Sequence, residues 1–211
     1  MNLLAIGANP DDVESFCGGT LIRYTEGEYN VTVCWITTGD KGSLGTSPQE
    51  IAKIRTREAC KATSLIGAKV IPLGIPDGEI YHNEKMRRKL VDVIRKARPE
   101  IIITHSSNDY MSDHTLTSQL VFEASFWAGS PGYKGEKDLP ICQVRPFIFY
   151  MDTVAGVNFL PTEYVDITAV FEKKREMLAC HQSQIKFLKE RDGIDLLDMM
   201  TTIARFFTVK K

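Results

Sequence analysis

The sequence predicts an α/β protein of Rossmann-like, three-layer form, with a mostly parallel sheet between two layers of helices. Short apolar, β-branched runs recur along the chain, and longer stretches of helical period separate them, which is the pattern of a sheet covered on both faces. The chain has 211 residues and an ordinary mixture of apolar and charged side chains, enough for one sizeable core. Residues 1–211 are therefore read as a single domain.

The strands are expected at Leu3–Ala8, Val31–Thr37, Lys69–Leu73, Glu100–Thr104 and Pro146–Met151, in sheet order 3-2-1-4-5. Helical segments lie between the first four and after Asp113. Ser47-Pro48-Gln49-Glu50 has the form of an N-cap with proline in the first turn, and Gly67 closes the helix that carries Ile51, Ile54, Ala62 and Leu65. Arg98-Pro99 stops the helix holding Leu90, Val91 and Ile94, because the residue before a proline avoids helical geometry. The Gly- and Pro-rich stretch Gly129–Cys142 reads as a long loop overhanging the ligand crevice. From Phe171 an amphipathic helix is expected to run towards Leu188. A last one, Leu196 to Phe207, carries an apolar stripe that serves the core or joins copies of the chain in a homo-oligomer.

Composition excludes several classes of function. A formal net charge of -1, with basic and acidic residues interspersed, provides no field for nucleic acid. No apolar run approaches the roughly 20 residues that span a bilayer, and Met1–Gly7 lacks a basic leader, so no membrane partner and a cytoplasmic location are expected. Five scattered cysteines, without a Cys-x-x-Cys pair, read as reduced thiols that mostly fill the core.

In a doubly wound sheet, ligands bind beyond the carboxyl ends of the strands where strand order reverses, so the loops after strands one and four should meet. Those loops hold the densest polar clusters: Asn9-Pro10-Asp11-Asp12-Val13-Glu14 and His105-Ser106-Ser107-Asn108-Asp109-Tyr110-Met111-Ser112-Asp113-His114. Aspartate and histidine converging from two loops are the material of a metal site. Of two adjacent aspartates at a strand-to-helix turn, one can bind a metal while the other stays free as a base. Capping of the following helix is the plain alternative for Asp11 and Asp12, and for His114 it is a surface position after an Asp113 N-cap.

These loops resemble those of the LmbE-like or PIG-L deacetylases, whose first loop reads Ala-His-Pro-Asp-Asp-Glu and whose later loop ends in His-x-Asp-His. The matching residues here are Gly7-Ala8-Asn9-Pro10-Asp11-Asp12-Val13-Glu14 and Met111-Ser112-Asp113-His114. The resemblance continues through Gly18-Gly19-Thr20, Thr37-Thr38-Gly39-Asp40-Lys41-Gly42, Arg55 with Glu58, Leu73-Gly74-Ile75-Pro76-Asp77-Gly78 and His181-Gln182-Ser183-Gln184. It implies an N-deacetylase acting on a small amino sugar or sugar conjugate with zinc. It also implies that Asp12 and His114 are metal ligands, that Asp11 is the general base and that Arg55 binds substrate. A surface Arg55 paired with Glu58 is the alternative without the family.

Two departures matter. Asn9 stands where a histidine ligand is expected and offers only an amide oxygen, so weaker zinc binding or a harder divalent cation follows. Met111 stands where the family has a histidine that assists the tetrahedral intermediate, and methionine can donate no proton. His105 and Asp109, with Tyr110, are the candidates to replace it in catalysis, while Asn9 and Met111 remain in the substrate-facing wall. His82 and His181 are read as structural. The rival reading is a catalytically weakened member that binds a sugar or nucleotide sugar; a third is a hydrolase of a different bond.

Overall fold

The computed structural model of the chain describes residues 1–206, so the Phe207 of the last expected helix lies outside the described residues. Five strands form one sheet: β1 (Asn2–Gly7), β2 (Asn30–Thr37), β3 (Lys69–Ile75), β4 (Ile101–Thr104) and β5 (Phe147–Tyr150). All neighbours are parallel and the order is β3-β2-β1-β4-β5, as the alternating pattern predicts. The helices are α1 (Asp12–Phe16), α2 (Gly18–Glu26), α3 (Pro48–Ser64), α4 (Glu84–Ala97), α5 (Ser112–Ala128), α6 (Phe171–Ala179), α7 (Gln182–Asp192) and α8 (Leu196–Phe206). No helix among the described residues is long and apolar enough to cross a membrane.

The central strand β1 is apolar on both faces because both are covered. Leu4 and Ile6 pack with Leu90, Ile94 and Leu120 of α4 and α5, while Leu3 and Ala5 pack with Leu21, Trp35 and Met177 on the side of α2, α3 and α6. Each such leucine or isoleucine contributes on the order of 2 kcal/mol when fully buried. The caps follow the local sequence: Ser47 Oγ accepts the Glu50 N–H at 3.3 Å, and Arg98 ends α4 in the left-handed region at φ 47°. Cys17, Cys34 and Cys142 are buried thiols, and every cysteine is free.

Two expectations are corrected. The helix starting at Phe171 does not run to Leu188 unbroken: it stops at Ala179, and α7 starts at Gln182. Glu58 of α3 accepts both the Ser183 N–H, at 2.9 Å, and the Ser183 hydroxyl, so α7 has a tertiary cap that sequence periodicity does not encode.

The Gly129–Cys142 loop does not overhang the crevice. Because α5 runs back across the sheet, this loop emerges beside the first residues of the strands, where Leu139 and Pro140 share a depression with Asn2 and Asn30. Arg95 of α4 donates to Ala128 O at 3.1 Å, Ser130 O at 3.0 Å and Tyr133 O at 2.8 Å. Asp92 accepts the Glu136 and Lys137 N–H groups, both at 2.9 Å, and Cys142 Sγ donates to Ile94 O. The length of this loop serves its anchorage on α4.

Candidate active and metal site

The carboxyl ends of β1 and β4 bring their loops together. Asp12 opens α1, and its Oδ2 accepts the Asn9 N–H at 2.6 Å, which fixes the turn after β1. His105 follows β4 directly and is fully buried; its Nε2 lies 3.0 Å from Asp12 Oδ2. His114, in the first turn of α5, places Nε2 3.4 Å from Asp12 Oδ1. The two imidazoles stack, with Phe16 edge-on to both. Asp12, His105 and His114 each offer a ligand atom within 4.8 Å of the others.

These donors fit a divalent cation. His105 Nε2 lies 2.9 Å from the Ala8 nitrogen and 3.0 Å from Asp12 Oδ2, so its single lone pair serves either the Ala8 N–H or a cation, while its Nδ1 is buried without a partner among the described residues. Burial holds His105 below its usual pKa despite Asp12, whereas Asp12, for all its burial, is held well below the carboxylate range by His114 and His105. His114 Nε2 and Asn9 Oδ1 are buried and make no hydrogen bond among the described residues. Asn9 is oriented through its other amide atom, with Nδ2 donating to Thr37 Oγ1 at 3.0 Å.

Asp109 supports the cluster from behind. Its Oδ2 lies 3.0 Å from His114 Nδ1 and also accepts the Val154 N–H, and its Oδ1 accepts the Met111 N–H at 3.0 Å. Burial would lower the His114 pKa, but Asp12 and Asp109 outweigh it and push the pKa up to about 10. Met111 is half-buried at the N-cap of α5, and Tyr110 points to solvent.

Asp11 precedes Asp12 and is buried without acting as a side-chain cap. Burial, followed by the charge of Asp12, raises its pKa, while His181 and Arg55 oppose the rise. Arg55 is itself buried: Nη2 donates to Gly42 O at 2.7 Å and to Gln184 Oε1, and Nε has no partner. It is not paired with Glu58, which instead caps α7. Gly39, at φ 70°, must be glycine here because a Cβ would overlap Arg55 Cδ.

Sequence reasoning missed how the other loops join the site. Asp77 accepts the Gly39 N–H at 2.8 Å and the Lys41 N–H at 3.1 Å, and lies 3.5 Å from Asn9 Nδ2. Asp113, across the crevice, accepts the Gly78 N–H at 2.9 Å. His181, read as structural from sequence, is buried with Nε2 3.4 Å from the equally buried Glu14 Oε2. The aspartate in Pro76-Asp77-Gly78 and the glutamate one turn beyond Asp11 were the available signals. His82 is at the surface, 3.0 Å from Glu123.

The chain is 28% identical to a 4-oxalmesaconate hydratase of Pseudomonas putida, over 86% of this chain and 73% of the relative. It is 30% identical to a diacetylchitobiose deacetylase of Thermococcus kodakarensis, over 86% of this chain and 69% of the relative. The crystal structure of the N,N'-diacetylchitobiose deacetylase from Pyrococcus horikoshii superposes with a TM-score of 0.85 at 26% identity, covering 97% of this chain and 77% of that one. The PIG-L family, described as GlcNAc-PI de-N-acetylase, matches residues 4–125, which contain both site loops, and the chain belongs to that family.

Proposed function

We propose that the protein is a metal-dependent hydrolase that removes an N-acetyl group from an amino sugar or amino-sugar conjugate. The observation that carries this reading is the approach of Asp12, His105 and His114 within 4.8 Å, with buried Asp11 alongside. The substrate class is taken from the deacetylases to which the chain is similar.

Asp12, His105 and His114 would hold a divalent cation, which when bound would supply Lewis acidity towards the amide carbonyl and towards water. Asp11 accepts the proton of the attacking water at its carboxylate. Burial and the Asp12 charge raise its pKa, so it holds that proton more firmly than an exposed aspartate does. The same carboxyl returns the proton to the departing amine, since Met111 has none to give. Asp109 orients His114 and is a positioning residue, with both oxygens committed to bonds. The Arg55 guanidinium is the donor for a sugar hydroxyl, and Asn9 and Met111 form the substrate-facing wall.

Acetate release from N,N'-diacetylchitobiose and N-acetylglucosamine, measured with zinc and with other divalent cations, tests the reading. Activity should require metal and fall about 100-fold or more in Asp11→Ala. Hydrolysis indifferent to that substitution would sink the assignment. Hydration of an unsaturated carboxylic acid is the second reading, favoured by the similarity to a hydratase and by Met111 in place of an acid. It would appear as loss of conjugated absorbance without acetate release.

A further inference from the structure

At the amino ends of the strands, away from the metal cluster, the surface holds a second depression of about 350 Å³. Lys69 at the start of β3 and Arg95, Lys96 and Arg98 at the end of α4 line it, and none of the described lining residues is acidic. Glu100, the acid nearest to Arg98 in sequence, turns its carboxylate to the Asn2 N–H. The ion pairs of α4 lie elsewhere, Arg88 with Glu84 and Lys89 with Glu136. Lys69, Arg95, Lys96 and Arg98 have no carboxylate partner among the described residues.

The carboxyl ends of α4 and α5 also reach this region, and each brings about half a negative charge. Basic residues in a last helical turn offset that charge, which accounts for Arg95 and Lys96. It does not account for Lys69, which comes from a strand, or for Arg98. Arg98 stands at φ 47° and ψ 54°, a left-handed position after a helix that favours glycine, so its side chain is kept against backbone strain. The turn is held by Asn2, whose Nδ2 donates to Arg98 O at 3.1 Å. Arg95 is 4% exposed and donates to main-chain carbonyls, which answer its hydrogen bonds and leave most of its charge. Burial pushes the Cys142 thiol up while Arg95 and Arg98 both pull it down, so the two guanidinium fields overlap beside Leu139 and Pro140, which form the apolar wall of the depression.

We propose that this depression binds a diphosphate group, free or carried by a small organic molecule. Lys69, Lys96 and Arg98 are exposed, and their long side chains bring three positive charges, more than the two that a single phosphate answers. Arg95 adds a fixed positive charge from within the fold. Leu139 and Pro140 offer an apolar surface to a ring attached to the diphosphate, and the volume lies within the range of small-molecule sites. Because the strand amino ends face away from the crevice, the site does not depend on the reaction carried out there.

Calorimetric titration of the full chain with pyrophosphate and with ADP, without added metal, should show one site per chain. Arg98→Gly suits the left-handed turn, so its melting temperature should hold or rise while pyrophosphate affinity falls about tenfold. Lys69→Glu with Lys96→Glu should remove measurable binding and leave the far-ultraviolet circular dichroism unchanged. Asp12→Ala, which disables the crevice, should bind both anions as the parent does. Tighter binding of ADP than of pyrophosphate identifies an organic ligand against Leu139 and Pro140, and equal affinities identify the free anion. No heat with either anion, affinity unchanged in Arg98→Gly, or affinity lost in a folded Asp12→Ala would each overturn the proposal.

Discussion

The rings of His105 and His114 stack with centroids 3.8 Å apart and 18° from parallel, and each turns a nitrogen to a different oxygen of Asp12. Two charged imidazoles would repel in that arrangement. Burial keeps His105 neutral, while His114 holds its proton up to about 10. A cation binding at His114 Nε2 must displace that proton, so divalent-metal affinity should rise with pH across the neutral range. Calorimetry with zinc should show His105→Ala and His114→Ala each weakening binding on the order of 100-fold, and Asn9→Ala by about tenfold. Zinc affinity unchanged in His105→Ala would remove that residue from the metal set.

Asp109 spends one oxygen on His114 Nδ1 and the other on the Met111 N–H, which fixes both the ring and the start of α5. Asp109→Asn should lower zinc affinity by about 10- to 100-fold, and excess zinc should restore most of the activity. A loss of activity that zinc does not restore would point instead to a direct role at the substrate.

Glu14 and His181 form a buried pair behind Asp11. Burial would lower the His181 pKa, but Glu14, by contact and by charge, raises it above 6.5. Folded His181 therefore keeps its proton to higher pH than the unfolded chain does. The pair's contribution is full below about pH 6.5 and fades as pH rises through the folded value. Glu14→Gln should destabilise the fold by about 3 kcal/mol at the acid end, with a smaller deficit in alkaline buffer. Thermal denaturation of both proteins across pH measures this, and a deficit independent of pH would contradict it.

The strand order and the meeting of Asp12 with His114 were legible because each depends on short-range pattern plus one topological rule: apolar runs alternate with helices, and ligands gather where strand order reverses. His105 and Asp109 were visible as polar residues in the right loop, but which of them faces Asp12 depends on a few degrees of turn after β4. The anchorage of Gly129–Cys142 on Arg95 and Asp92 joins residues more than thirty positions apart, and loop composition is silent about it. The break between α6 and α7 has the same origin, since Glu58 provides the cap from another helix.

Lys174 in α6 is buried without an ion pair among the described residues, near Cys17 and Asp152, and burial lowers its pKa to about 8. The unfolded lysine keeps its proton up to about 10.5, so the folded state is penalised below pH 8, and stability should climb between the two values. Lys174→Met, similar in length and apolar, should stabilise the protein at neutral pH by roughly 1–3 kcal/mol. The variant should also lose the alkaline rise in melting temperature. A variant less stable than the parent at pH 7 would mean that the amine has a partner worth more than its desolvation cost.

The Asn9 N–H lies 2.6 Å from Asp12 Oδ2, and its side-chain Oδ1 is buried without a hydrogen bond among the described residues, so an imidazole at position 9 should tighten zinc by about 10- to 100-fold. Asp12, His105 and His114 already offer three donors, so a fourth protein ligand closes the position that water or a carbonyl needs, and Asn9→His alone should bind metal better without hydrolysing faster. Met111→His alone adds a proton donor at the half-buried start of α5 and should speed amide hydrolysis about tenfold, limited by the weaker metal. In the double variant zinc should stay tight, but the rate should not exceed that of Met111→His alone, because the imidazole at position 9 still closes the open position. Zinc titration and acetate release on the four proteins complete the cycle. If Met111→His holds zinc and still releases no acetate from N-acetyl sugars, then the missing acid was not limiting. The crevice would then be shaped for another substrate, and hydration or sugar binding would take precedence over deacetylation.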